Sequence, residues 1–77
     1  MKKDLTQVKA GQKYKIVEIL GGHRLQKKLD ALGIRIGIEI KKITSISSKG
    51  PIIIQIAETQ LALGYGIAKK IIVEGNM

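Results

Sequence analysis

The sequence predicts a mainly β domain with one inserted helix, a small SH3-like barrel of about five short strands. Three observations predict it. Short runs rich in isoleucine, a residue that favours strands, are separated by glycine-containing turns. One stretch alone, Gly21 to Ile40, changes period, from a leucine stripe repeating at about 3.6 to isoleucines repeating at about 2. The alternation then slips by one residue at Lys41-Lys42, since Ile38 and Ile40 share a parity that Ile43 does not. Such a slip marks a β-bulge, and a small sheet needs sharp bends to curl on itself. With 77 residues the chain makes a single domain, 1–77. The OB-fold is the nearest rival and usually needs more residues.

Leu5 to Gly11 reads as an entry segment, with Leu5 and Val8 docking as one turn and Gly11 opening the next. Lys13 to Leu20 reads as a strand with apolar residues on both faces, Tyr14 and Ile16 against Val17 and Ile19. Gly21-Gly22 breaks it and starts a helix, with Gly22 at the N-cap position. Leu25, Leu29 and Leu32 at i, i+4 and i+7 form its inward stripe, and Gly33 stops it as a left-handed C′ residue. Gly37 marks a tight turn, and Ile38 to Ile46 is the second long strand. Ser47 to Pro51 is a hairpin loop, followed by strands at Ile52 to Ala57, Gln60 to Leu63 and Ile71 to Val73. Glu58-Thr59 makes a turn, Ile67 to Lys70 a single helical or 3₁₀ turn, and Gly75 to Met77 a frayed end.

There is no cysteine, which fits a reducing compartment and removes thiolate metal sites and thiol nucleophiles. Without Phe or Trp, the core must be aliphatic. Asp4 to Lys15 holds no continuous apolar run, and runs such as Ile52-Ile53-Ile54 are far too short to span a bilayer, so the expectation is a soluble, cytoplasmic protein. The net charge of +8 admits nucleic acid, an anionic membrane surface or an acidic protein as partner, and also serves solubility. Exposed strand edges could pair, and the lysines would discourage that.

Catalytic machinery is sparse. His23 stands alone at the helix start as an exposed or capping residue. The carboxylates Asp4, Glu18, Asp30, Glu39, Glu58 and Glu74 are scattered singly, without the spacing of a metal-binding helix or a Ca²⁺ loop. Gly21-Gly22 lacks the Lys-Ser/Thr of a phosphate-binding loop and reads as a turn. No enzyme activity, cofactor or metal site is expected. The informative polar residues are basic: Arg24 and Lys28 flank the leucine stripe, Lys27 faces outward, and Lys41-Lys42 sits at the slip. A reader of single-stranded nucleic acid would want stacking aromatics, and only Tyr14 and Tyr65 exist. Duplex binding by charge alone stays open.

The ordered set of L-x-x-V-x-x-G (Leu5, Val8, Gly11), GG-x-x-L-x-x-x-L-x-x-L-G-I (Gly21 to Ile34), G-x-E-I, GPIII-x-I (Gly50 to Ile56), L-A-L (Leu61 to Leu63) and I-A-x-x-I-x-V (Ile67 to Val73) resembles the FeoA family, the small cytosolic component of ferrous iron transport systems. The resemblance covers nearly the whole chain. It implies an SH3-like barrel with an inserted helical segment. It also implies a non-enzymatic accessory protein that supports Fe²⁺ uptake through FeoB, a membrane transporter with a cytosolic GTP-binding domain, which would recruit it to the inner face of the membrane. Two positions depart from the pattern: Ile36 stands where relatives often carry proline, and Gly64-Tyr65-Gly66 where they often carry arginine. On this reading the partner surface is Arg24, Lys27 and Lys28, with Lys41, Lys42 and the segment from Leu63 to Tyr65 as secondary candidates. A basic nucleic-acid-binding barrel and a metal-sensing regulatory module are the alternatives.

Overall fold

The computed structural model describes residues 2–45 and 49–75. The elements in chain order are β1 (Lys2–Asp4), β2 (Lys13–Ile19), α1 (His23–Ala31), β3 (Glu39–Ser45), β4 (Ile52–Ile56), β5 (Thr59–Leu63), α2 (Tyr65–Ala68) and β6 (Ile71–Gly75). The strands form one antiparallel sheet in the order β1-β6-β2-β3-β4-β5. This is the mainly β, SH3-like class that the sequence predicts, with six strands rather than about five. The additional strand, β1, is Lys-Lys-Asp and carries no hydrophobic signal; its place comes from backbone pairing with β6, Lys2 opposite Glu74 through Asp4 opposite Ile72. The expected strand end at Ile46, Ser47 and Ser48 of the hairpin loop, and the expected frayed residues Asn76 and Met77 lie outside the described residues.

Two bulges let one sheet surround one core. In the β3–β4 ladder the register shifts between Lys42 and Thr44, at the slip in the isoleucine pattern. In the β2–β6 ladder it shifts between Ile16 and Glu18, which explains why β2 is apolar on both faces. Each bulge turns its strand and changes which parity points inward. The core therefore draws Tyr14 and Ile16 from β2, Ile40 from β3, Ile52 and Ile54 from β4, Leu63 from β5, and Ile71 and Val73 from β6. Leu5, Leu29, Ile34 and Ala68 close it.

The helix is bounded as its glycines predict, with one correction. Gly22 is an extended N-cap without a side-chain bond, and Gly21 has φ +132°. At the other end Gly33 has φ +87°; its N–H bonds the Asp30 carbonyl, and the Ile34 N–H bonds the Leu29 carbonyl, both at 2.9 Å. This pair of bonds is a Schellman motif. Leu32 is the cap residue and is 46% exposed, so it does not complete the inward stripe. The reversed chain puts Ile34 into the core instead, beside a fully buried Leu29 and a half-buried Leu25. Two boundaries also move. The β4–β5 turn is Ala57-Glu58, with Ala57 at φ +53°, and α2 starts at Tyr65 because Gly64 is its extended N-cap.

The entry segment is one turn with both ends capped by side chains. Asp4 accepts from the N–H and hydroxyl of Thr6, while the Asp4 N–H donates to Gln7 Oε1 at 3.1 Å, as in a capping box. At the far end Lys42 enters the core, 3% exposed, and its Nζ donates to the carbonyls of Leu5 (2.9 Å) and Val8 (2.8 Å). The Lys42 backbone adds bonds to Gln12 and Gly11, and the Tyr14 hydroxyl donates to the Lys9 carbonyl at 2.8 Å. Leu5 is thereby held at 0% exposure.

Three substitutions test this architecture. Lys42→Met keeps the apolar stem but strands two carbonyls, so urea unfolding at neutral pH should show a loss of about 1–3 kcal/mol. Burial lowers the Lys42 pKa from its ordinary 10.5, with Asp4 pulling it partly back. The unfolded chain therefore holds this proton at pH values where the folded chain has released it. Stability of the parent relative to Lys42→Met should be flat below the lowered value and rise with pH up to about 10.5; a difference that falls over that window would contradict the assignment. The second concerns the turn at Arg35 to Ile38, where Gly37 has φ +95° and the Ile38 N–H bonds the Arg35 carbonyl at 3.2 Å. That geometry suits proline at the preceding position, so Ile36→Pro should add about 0.4–1 kcal/mol. Gly21→Ala, forced into a positive φ with its Cβ 2.8 Å from Leu25 Cδ2, should cost about 1–3 kcal/mol on the same measurement.

Candidate functional site

The reversal after α1 leaves a cleft of about 370 Å³ between the helix and the turn that follows it. His23, Gln26, Lys27, Asp30 and Ala31 line it from one face of α1, at the spacing that puts them on successive turns. Arg35 and Ile36 line it from the turn, and Ile19 and Ile34 supply apolar surface. Arg35 Nε lies 2.5 Å from Asp30 Oδ1 and bridges the turn to the helix across Gly33. Both partners are more than half exposed, so the pair is worth little in stability, about 0–1 kcal/mol, but it neutralises the acid in the cleft. Lys27 is left as the cleft's cation without an ion pair among the described residues. Ile36 is 62% exposed on the rim. The large exposed hydrophobics, Leu20, Leu32 and Ile36, all lie in the segments that flank α1.

The structure sorts the sequence candidates into three groups. Arg24, Lys27 and Lys28 are all exposed on α1, but at about 100° per residue Arg24 and Lys28 fall on the flank away from the cleft. Lys41 lines a different cleft of about 340 Å³ with Lys13, Glu39 and Gln55, on the outer face of the sheet. Tyr65 is half-buried at the start of α2, with Lys69 Nζ 5.9 Å from its ring centre. Lys42 and Leu63 are corrections: both are buried, Lys42 because it shares the inward parity of Ile40 on β3 and its ammonium meets two carbonyls, Leu63 because it faces the core opposite Ile52. Neither offers a side chain to a partner.

The residues that reading by charge passed over are Asp30, Arg35 and Ile36. An apolar side chain in a glycine turn was visible in Ile36, the position where the family pattern often has proline. The Asp30–Arg35 bridge had no periodic signal, because it spans a helix stop.

On the outer face of the sheet Lys13 lies opposite Lys41, while a neighbouring row alternates in sign. Across β1, β6, β2 and β3 the directly opposed residues run Lys2, Glu74, Lys15 and Glu39, alternating in sign. Among the described residues there is no group of three or more His, Cys, Asp or Glu able to hold a metal, and no helix long and apolar enough to cross a membrane. A cleft with an apolar rim, the unpaired cation of Lys27 and an acid already paired to Arg35 suits recognition of a partner segment that carries a carboxylate beside an apolar side chain.

Comparison with known proteins agrees with the fold. Residues 3–75 match the model of the FeoA domain. A Methanocaldococcus jannaschii protein described as an Fe(2+) transport protein A is 35% identical over 66 residues, 86% of this chain and 78% of that one. The crystal structure of an iron uptake regulatory protein, FeoA, superposes with a TM-score of 0.88 at 34% identity, covering 99% of both chains. The manganese regulator SloR contains the same fold in 34% of its chain, at 20% identity and a TM-score of 0.85. From the match over residues 3–75, this chain belongs to the FeoA family, small β proteins of Fe²⁺ transport.

Proposed function

We propose that the protein is a non-enzymatic, cytosolic accessory component of Fe²⁺ uptake that docks on the cytosolic part of a FeoB-type transporter and modulates transport. The observation that carries the placement of the contact is the cleft beside α1, where an exposed Ile36 and an outward Lys27 stand together over apolar Ile19 and Ile34. Arg24 and Lys28 extend the positive field along the same helix and favour an acidic partner surface. Lys41 and Tyr65, secondary candidates by sequence, lie at other places on the surface and are outside the contact in this reading. The alternation of charge across the outer sheet supports a protein partner over a nucleic acid, which would be met by a continuous basic track.

Calorimetric titration into the full-length transporter in lipid nanodiscs tests this. Ile36→Ser combined with Lys27→Glu should weaken binding about tenfold or more, the effect of losing an anchor and reversing its charge, while Lys41→Glu should change it little. Equal affinity for the parent and the cleft variant would overturn the placement. Absence of binding, with transport and GTP hydrolysis unchanged by the added protein, would overturn the function.

A further inference from the structure

The two edges of the sheet are built differently. β1 is three residues long and carries Lys2, Lys3 and Asp4, the kind of charge that keeps a strand edge from pairing. β5, at the opposite end of the sheet order, is Thr-Gln-Leu-Ala-Leu: five residues, no charge, no proline, and a regular ladder to β4 without a bulge. The contrast extends beyond the strand. All 14 Lys and Arg residues lie outside residues 50–68, where Glu58 is the single charge. A chain of net charge +8 therefore keeps one margin, β4, β5 and α2, almost free of charge.

The hydrogen-bonding phase of β5 is also fixed. A two-residue loop, Ala57-Glu58, joins β4 to β5, and Ile56 opposite Thr59 is the closing pair that exchanges both bonds. Thr59, Leu61 and Leu63 then spend their backbone groups on β4, and Gln60 and Ala62 point theirs away from the sheet. The side chains of Gln60 and Ala62 are exposed.

We infer that β5 is a self-pairing edge, through which two copies of this chain join antiparallel about a two-fold axis at Leu61. In that register Gln60 faces Ala62 of the partner subunit and Ala62 faces Gln60 of the partner subunit, so the outward backbone groups satisfy each other. No charged side chain meets a like charge across the join. The β3 strands, which carry Lys41, end up five strand spacings apart, about 24 Å, well beyond the screening length of about 8 Å in physiological salt. A second copy fits this edge better than an acidic segment does, because β5 itself carries no cation to attract one. The inference is independent of the transporter reading: the α1 cleft is not part of this edge.

Sedimentation velocity on the full chain from about 10 μM to about 2 mM covers the weak range expected of so short an edge. The expected result is a concentration-dependent monomer–dimer equilibrium. The double variant Gln60→Lys with Ala62→Lys sets like charges opposite each other at exposed positions and should remain monomeric over that range, with an unchanged circular dichroism spectrum. Mixing it with the variant Gln60→Glu and Ala62→Glu should restore the dimer as a heterodimer, an outcome that misfolding of either variant would not give. A parent that stays monomeric throughout would overturn the inference and leave the edge to a strand of another protein. A dimer that survives in the double-lysine variant would overturn it by placing the interface elsewhere.

Discussion

The Lys42 ammonium fixes the amino-terminal segment to the sheet, and much of the structure rests on that junction. Its two donated bonds to Leu5 and Val8, with the backbone bonds to Gly11 and Gln12, tie one residue of β3 to the entry turn four times. A buried ammonium is costly unless its hydrogens are used. Here the carbonyls at the end of a single isolated turn, which have no helix to bond to, supply the acceptors. The arrangement satisfies both sides at once. It places Leu5 in the core and leads the chain back along β1 to pair with β6. Lys42 points inward because it follows Ile40 in regular alternation, and the β3 bulge falls only after it, between Lys42 and Thr44.

That junction also shows where reading the sequence reached its limit. The helix was legible in detail: two glycines, a leucine spacing and a change of period fixed its start, its stop and the next strand. The β3 bulge was legible as a slip of parity. The inward direction of Lys42, in step with Ile40 before the bulge, was not. A lysine at a bulge reads as a surface charge, and only the positions of the Leu5 and Val8 carbonyls, more than thirty residues away in the chain, show that it faces inward. Leu32 failed the other way. Its spacing belongs to the stripe, but it is the cap residue, and Ile34 takes its place across the Schellman turn. β1 was hidden because a strand held by backbone pairing alone has no side-chain pattern.

The same partition of charge organises the surface. Burying Lys42 removes a cation from the outer face, and one row of the sheet exterior, Lys2, Glu74, Lys15 and Glu39, alternates in sign over four strands. α1 carries three exposed cations, Arg24, Lys27 and Lys28, and its acid, Asp30, is already taken by Arg35. Exposed apolar residues collect in the segments on either side of the same helix. The opposite margin, β4 to α2, is nearly uncharged. A small domain with two such different sides can present α1 to one partner while its neutral edge meets another copy. The inserted helix is thus both a lid on the core through Leu25 and Leu29 and the scaffold of the candidate cleft through Lys27 and its neighbours.

Hydrogen–deuterium exchange, followed peptide by peptide with and without the reconstituted transporter, tests the central claim most directly. The account predicts added protection on α1 and on residues 34–38, with the exchange of β3 and β4 unchanged. Protection confined to the outer sheet face around Lys13 and Lys41, with α1 exchanging as in the free protein, would contradict it.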